Sequence, residues 1–402
     1  MTARLRHAAR LVRGTGFPPD LQGSSDGDLP FFKVGDFNRA GNETYLTHCD
    51  NWVSEATAVD LRARPVPAGT IVLPKIGAAL LLGARRITTQ RSVFDNNVLG
   101  IIPSQVDERY LRYWLMTVDL GRFANPGPVP SLDDDALRDL CLPLSARSQQ
   151  RAIADYLDAE TARIDNICEK RRNMVLALVE WEQSRLVELV GDWRTTSAAT
   201  LRQLRTSVVT GPFGTQLSAA EYVDDGIPVI NPTHIADGRF VQDALTSVPA
   251  VVAERLSRHR LKAGDLVMGR KGDVGRAALV GDSEAGWVCG SDSIAIRTEA
   301  ILLAPEFLAL VLSIDHYRQQ LEAHSTGAMV ANVNEQTLLG LRVPHLPLGD
   351  QQRAVEVGRT VRRHRIEMIS GLERQIDLLL ERRQALITAA VTGQIEIRGV
   401  AA

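Results

Sequence analysis

Six basic side chains and no acidic one lie between Leu61 and Phe94: Arg62, Arg64, Lys75, Arg85, Arg86 and Arg91. A second run, Arg255 to Arg276, holds Arg255, Arg258, Arg260, Lys262, Arg270, Lys271 and Arg276 against Asp265 and Asp273. Local charges of +6 and +5 stand out in a chain whose 46 basic and 48 acidic residues leave a formal charge of −2. Lysine and arginine displace condensed counterions from a phosphate backbone, so these runs suit contact with nucleic acid at two separated places. A solvated surface run is the bland alternative for either one alone. The candidate DNA contacts are Arg62, Arg64, Lys75, Arg85, Arg86 and Arg91 in the first run, and Arg258, Arg260, Arg270, Lys271 and Arg276 in the second. The glycines of Gly269-Arg270-Lys271-Gly272-Asp273-Val274-Gly275 would let a backbone turn approach a phosphate closely. It lacks the Gly-Lys-Ser/Thr ending of a Walker loop, and a tight hairpin turn with exposed charges is the alternative.

Enzymatic constellations are weak. Asn231-Pro232-Thr233-His234 faintly resembles the Asn-Pro-Pro-aromatic loop of amino-methyltransferases, but the second proline and the stacking aromatic are absent, and an Asn-Pro turn after a strand is the better reading. The eight histidines show no H-x-x-x-H or H-E-x-x-H spacing and no G-x-S-x-G elbow occurs. No catalytic and no metal-ligating residue is assigned. Cys49, Cys141, Cys168 and Cys289 lie too far apart for a C-x-x-C pair or a dense disulfide framework and read as reduced, mostly buried thiols.

What must position the charges is a duplicated architecture. Ser148-Gln149-Gln150-Arg151-Ala152-Ile153 recurs as Asp350-Gln351-Gln352-Arg353-Ala354-Val355, an offset of 202 in 402 residues. A short apolar run with a proline precedes each copy (Leu140 to Leu144; Leu341 to Leu346), and polar residues precede that (Ser131-Leu132-Asp133; Asn332-Val333-Asn334). Leu29-Pro30-Phe31-Phe32 resembles Ile227-Pro228-Val229-Ile230. Ile71-Val72-Leu73 and Leu266-Val267-Met268 read as corresponding strands, each after an Ala-Gly turn, and Asp107 to Val118 and Pro305 to His316 as corresponding helices. The two basic runs thus fall at matching places, which favours phosphate contact over a solvated face.

After each Gln-Gln-Arg copy, a heptad frame continues for roughly forty residues, or ~60 Å of helix. Its seam is expected on Leu157, Glu160, Ile164, Ile167, Arg171, Met174, Leu178 and Trp181, and on Arg359, Arg362, Ile366, Ile369, Glu373, Ile376, Leu380 and Arg383. Antiparallel packing with full overlap sets Glu160 against Arg383, Arg171 against Glu373 and Trp181 against Arg362. It also sets Arg185 against Arg359, a like-charge pair that would have to point outward.

At 45% hydrophobic and 23% charged residues the chain folds rather than staying disordered. Its longest uncharged apolar stretch, Ile76 to Ala84, is nine residues, too short to span a membrane. No secretory leader follows Met1, so a cytoplasmic location is expected. The expected division is residues 1–146 and 193–349 as globular α/β domains, 147–192 and 350–393 as long helices, and 394–402 as a tail. Gly191 to Ser197 marks the join.

The residues that carry these features also carry a family resemblance. Leu142-Pro143-Leu144, then Gln149 to Asp158, then Thr161-Ala162-Arg163-Ile164-Asp165, is similar to the central conserved region of the specificity subunit of Type I restriction–modification systems. Glu381 to Ile395 resembles its carboxy-terminal conserved region. One departure is Gly358-Arg359-Thr360, which stands where the first copy has Tyr156-Leu157-Asp158. The resemblance implies an α+β fold of two target-recognition domains separated by an antiparallel pair of long helices. Each domain would read half of a bipartite site on double-stranded DNA. The implied partners are two modification subunits and, in the full complex, two restriction subunits. The chain itself would be non-catalytic, with S-adenosylmethionine, ATP and Mg bound by those partners. The alternative from another class is a self-contained DNA adenine methyltransferase, which needs a glycine-rich cofactor loop and an intact Asn-Pro-Pro-aromatic motif. A coiled-coil adaptor that binds only protein is a third reading.

Overall fold

A computed structural model describes residues 2–125, 127–192, 194, 197–213, 216–236, 238–241, 246–271, 274–323 and 333–397. Several residues singled out above, Trp193, Thr195, Thr196, Gly272, Asp273, Asn332 and the tail from 398, lie outside the described residues. The chain forms two compact units, Met1–Arg171 with Arg374–Ala402, and Arg172–Glu373, so the division falls inside both long helices.

In the first unit, strand Thr2–Arg4 pairs antiparallel with Cys141–Pro143, just ahead of the first long helix. A five-stranded sheet runs in the order Ala9–Arg13, Val98–Pro103, Ile71–Pro74, Arg86–Thr88, Tyr45–Leu46. A three-stranded sheet centres on Leu29–Phe32, antiparallel to Trp52–Val53 and parallel to Val93–Phe94. The second unit repeats this plan. Ala198–Thr200 pairs with Arg342–Pro344, Ser207–Thr210 opens a four-stranded sheet through Ser293–Arg297, Leu266–Gly269 and Ala277–Leu279, and Ile227–Ile230 lies between Ser247–Val248 and Val288–Cys289.

Local chemistry accounts for the match. Gly69 and Gly264, at φ +81 and +86, make the turns into strands whose residues are all buried. A Cβ at Gly14 or Gly211 would overlap the carbonyl oxygen of Asp95 or Gly290, so only glycine lets the chain leave its first sheet strand there.

The long helices span Arg147–Val190 and Leu348–Val391, 44 residues each, and both stop before a left-handed glycine, Gly191 at φ +86 and Gly393 at φ +74. Their starts are 201 residues apart, not the 202 that separates the identical letters. Burial shows why. Gln150 and Gln351, each 1% exposed, do the same work: their Oε1 atoms accept from Asp107 N (2.8 Å) and Ala304 N (2.9 Å), and their Nε2 atoms donate to Ser145 O and Leu346 O (both 2.8 Å). The working glutamine is the second of its pair in the first copy and the first in the second, so matching letters slides the copies by one. Each glutamine ties the start of a long helix to its own lobe. Gln150→Leu orphans two backbone groups and Gln351→Leu three, since Gln351 Nε2 also donates to Leu302 O (3.0 Å), and urea unfolding should show a loss of about 1–2 kcal/mol.

The seam follows half of the expected frame. Leu157 and Ile164 are buried, with Arg171 and Leu178 half-buried. The other column runs through Thr161, Cys168, Val175 and Glu182, one residue beyond Glu160, Ile167, Met174 and Trp181. On the second helix, Arg362, Ile369, Ile376 and Arg383 are half-buried as expected, but Gly358, Arg365, Leu372 and Leu379 replace Arg359, Ile366, Glu373 and Leu380. A seam that holds Thr161 and Glu182 while Met174 and Ile366 lie 47% exposed does not reveal its step order by apolar counting.

The charge pairing departs from the expected one by more than a helical turn in the first unit and by a single residue in the second. In the first unit Arg383 pairs with Asp165 (Nε to Oδ1 3.0 Å) rather than facing Glu160, and in the second Arg362 (3.4 Å) and Arg365 (2.8 Å) flank the buried Glu182. Arg185 and Arg359 are both more than half exposed, in keeping with stems that point outward, and each pairs along its own helix, with Glu188 and Glu356. Gly358 has a packing reason: a Cβ there would come within 2.8 Å of Leu310 Cδ1.

Cys168 and Cys289 are buried and Cys49 is partly buried, while Cys141, on the strand ahead of the first long helix, is the exposed exception to mostly buried thiols. Burial pushes the Cys49 and Cys289 thiols up to about 12, which makes them poor nucleophiles. Among the described residues no helix is long and apolar enough to cross a membrane.

Candidate nucleic-acid interface

The two basic runs occupy equivalent places. In the first unit, helix Glu55–Asp60 leads through Arg62 and Arg64 to Val66, which exchanges two backbone hydrogen bonds with Ser92 (2.9 and 3.0 Å). In the second unit, helix Ala250–Arg255 leads through Arg258 and Arg260 to Leu261, held by Trp287 O (2.8 Å) and Gly286 N (2.9 Å). Past the next strand, Lys75 O accepts from Leu132 N (2.8 Å) as Arg270 O accepts from Val333 N (2.9 Å). Lys75 and Arg270 are therefore counterparts.

Side-chain direction divides the eleven candidates. Arg62, Arg64 and Arg258 are exposed and make no ion pair among the described residues, and Lys75 is half-buried, also without one. Arg62 sits at φ +52 just past its helix, a left-handed backbone that disfavours any residue with a Cβ. Such local strain is concentrated at functional positions. Arg91 pairs with Glu55 and Lys271 with Asp292 (2.9 Å), all four side chains about half exposed, so both cations stay within reach of solvent.

The others turn inward. Arg85, 8% exposed, donates to Gly83 O and Val118 O, and Arg86 donates to Phe37 O (3.0 Å) and Arg85 O (3.3 Å). Burial, then neighbouring Arg112, pulls the Arg85 pKa down to about 10, and the same two causes lower Arg86. These two arginines satisfy carbonyls inside the fold and leave the set that can meet a phosphate. Arg260 is half-buried with its Nε on Gly286 O (3.0 Å), and Arg276 reaches towards Ile235 O (3.4 Å) in a cleft beside the long helices. Arg270 is 8% exposed, its guanidinium 4.7 Å over the Phe213 ring.

Two residues outside the eleven candidates join them. Lys262 lies in the second run and is exposed. Phe213, 50% exposed with the Arg270 guanidinium over its ring, offers a flat apolar face; an aromatic after Gly211-Pro212 was its only sequence signal. The Asn231-Pro232-Thr233-His234 segment is a turn, as its residues suggest. Asn231 N donates to His234 Nδ1 (3.2 Å) and the histidine is buried, so the ring is occupied with its own loop.

No protein-family model matches the chain. It is 26% identical over 211 residues to the specificity subunit of the Type I restriction enzyme StySPI from Salmonella potsdam, covering 50% of this chain and 43% of that one. It is also 26% identical over 199 residues to the EcoKI specificity subunit of Escherichia coli strain K12, covering 47% and 41%. The chain thus spans about two fifths of the length of these curated relatives. In three dimensions it is similar to a chain from a type I R-M system solved for its complex assembly and conformational transition, with TM-score 0.76 and 13% identity over 100% of this chain and 98% of that one. The HsdS subunit of Thermoanaerobacter tengcongensis superposes with TM-score 0.55 and 14% identity over 98% and 97%. The α+β architecture expected from the sequence, two α/β lobes with a pair of long antiparallel helices, is the observed one. By fold over its whole length and by sequence over about half of it, the chain is similar to the specificity subunits of Type I restriction–modification systems.

Proposed function

We propose that this chain is the DNA-reading subunit of a Type I restriction–modification assembly. Each lobe reads one half of a bipartite target on double-stranded DNA, and the long helices set the gap and carry the modification subunits. The observation that supports this most strongly is the repetition itself. One chain holds two lobes of the same topology, each tied to a long helix by an equivalent glutamine, with exposed arginines leading from an equivalent short helix. As straight helices, 44 residues extend ~66 Å, and two lobes addressing one face of a duplex want centres about one turn apart, ~10 base pairs.

In this reading Arg62, Arg64, Lys75, Arg258, Lys262 and Lys271 meet phosphates first, while Phe213, with Arg270 over its ring, presents a face to bases. The chain has no catalytic centre of its own. S-adenosylmethionine, ATP and Mg belong to two modification and two restriction subunits, and the assembly works in the cytoplasm. A self-contained methyltransferase is disfavoured by the His234 ring, which bonds back to its own turn where a stacking aromatic would be needed.

Mapping methylated adenines in cells that carry this chain with modification subunits tests the proposal. Adenines should fall in two half-sites at a fixed gap, and exchanging residues 1–146 for those of a relative should alter one half alone. Methylation of a continuous site, or both halves changing together, would refute it.

A further inference from the structure

Ile76 to Ala84, the longest uncharged apolar stretch of the chain, lies in the first unit between strands Ile71–Pro74 and Arg86–Thr88. The core takes up little of it. Within helix Gly77–Leu82, Leu80 is 1% exposed and belongs to the same core as Ile71 and Leu73, whereas Leu81 and Leu82 are 61% and 79% exposed. Val129, 58% exposed, stands beside the helix, 4.0 Å from where a Cβ on Gly77 would lie. The turn is braced. Left-handed glycines bracket it, Gly77 at φ +72 and Gly83 at φ +66, and their N–H groups donate to Pro130 O (2.8 Å) and Leu80 O (3.1 Å). Single exposed leucines need no explanation, but two in succession beside an exposed valine on a braced turn do.

The second lobe has no counterpart of this helix. Ten residues separate Lys75 from Arg86, but seven separate Arg270 from Ala278, the equivalent positions being fixed by Val72 opposite Arg86 and Val267 opposite Ala278. The shorter connection carries Lys271 and Arg276, and no large apolar side chain among its described residues is exposed, Val274 being 1% exposed. Two copies of one modification subunit would need equivalent faces on both lobes, so a feature of one lobe is not their common dock. Such a feature suits what differs between the half-sites. Lys75, half-buried and without an ion pair among the described residues, stands just ahead of the helix, and no acidic residue occurs between Leu61 and Phe94 to repel a phosphate backbone.

A leucine side chain offers no hydrogen bond, so it distinguishes base pairs only by an apolar group, and on base edges that group is the methyl of thymine in the major groove. An α-helix ~10–12 Å across enters that groove, ~12 Å wide, but not the minor groove at ~6 Å, where an apolar wedge would have to work. We propose that helix Gly77–Leu82 enters the major groove and that Leu81 and Leu82 read thymine methyl groups in the half-site of the first lobe. The inference rests on the DNA-reading proposal and names specificity determinants for one half-site.

Duplexes with uracil in place of thymine test it, titrated against the assembled complex. The substitutions fall in the half-site that exchange of residues 1–146 assigns to the first lobe, outside the pair that holds the methylated adenine. Uracil lacks only the methyl, and binding should weaken about fourfold per contacted group. With Leu81→Ala and Leu82→Ala together, thymine and uracil duplexes should bind equally. The first comparison alters the DNA and not the protein, so misfolding cannot mimic it. Equal affinity of both duplexes for the unaltered complex, or a methyl dependence that survives in the double variant, would overturn the inference while DNA reading stands. A first half-site with no thymine outside the methylated pair would do the same. So would unstacking at that half-site, seen by the fluorescence of an aminopurine base and abolished in the double variant, because the leucines would then act as a wedge. Failure of the unaltered complex to bind the mapped duplex at all would instead overturn the DNA-reading proposal, and this inference with it.

Discussion

On the proposed reading, replacing Arg62 and Arg64 together by alanine should lower the DNA affinity of the assembled complex by about 100-fold at low salt, through loss of two phosphate contacts worth somewhat over 1 kcal/mol each. The slope of log affinity against log salt should fall by about 2, since each contact contributes roughly 0.9. The fold should be untouched, because both side chains are exposed and unpaired among the described residues, and Arg62 already sits in a disfavoured left-handed backbone. Arg85→Ala should do the reverse. That guanidinium is committed to Val118 O inside the unit, so its loss lowers stability without changing the salt slope. Filter binding across a salt series, paired with urea unfolding, reads both. An unchanged slope in the double variant, or a lowered slope in Arg85→Ala, would contradict the division into outward and inward arginines.

Glu182→Ala should destabilise the second unit by about 3 kcal/mol, the low end for breaking a buried ion pair, since the two cations left behind keep some access to water. Its side chain is 6% exposed, against 33% for Arg362 and 20% for Arg365. Removing it sets two guanidinium groups one helical turn apart with their shared anion gone. Hydrogen exchange should speed along Arg172–Val190 and Leu348–Glu373 while amides near Asp165 and Arg383, in the first unit, respond less. Glu182→Leu with Arg365→Leu should recover much of the loss, as apolar replacement of a whole buried pair does. A loss under 0.5 kcal/mol in the single variant would show that the pair adds nothing.

The architecture was legible because its signals are local and occur twice: Ala-Gly turns before apolar runs, a proline-bearing strand and a Gln-Gln-Arg start. The copy register was not, because two adjacent glutamines make the letter match ambiguous and only burial distinguishes Gln150 and Gln351 from their neighbours. One seam column was readable from Leu157 and Ile164. The other was hidden by Glu182, a seam residue whose partners come from the opposite helix. For the interface, charge order reveals where cations cluster but not where side chains point. Arg85 and Arg62 look alike in sequence, yet one closes carbonyls in the core and the other faces water. The extra length of the first lobe's connection after Lys75 was invisible, since it is a difference between copies that emerges only after they are aligned by their hydrogen bonds.

The most direct test of a helix-spaced pair of reading lobes is the methylation pattern of complexes whose first long helix carries four extra residues between Arg171 and Arg172. The account predicts that methylated half-sites keep their sequences while the gap between them changes. Altered half-site sequences at an unchanged gap would contradict it.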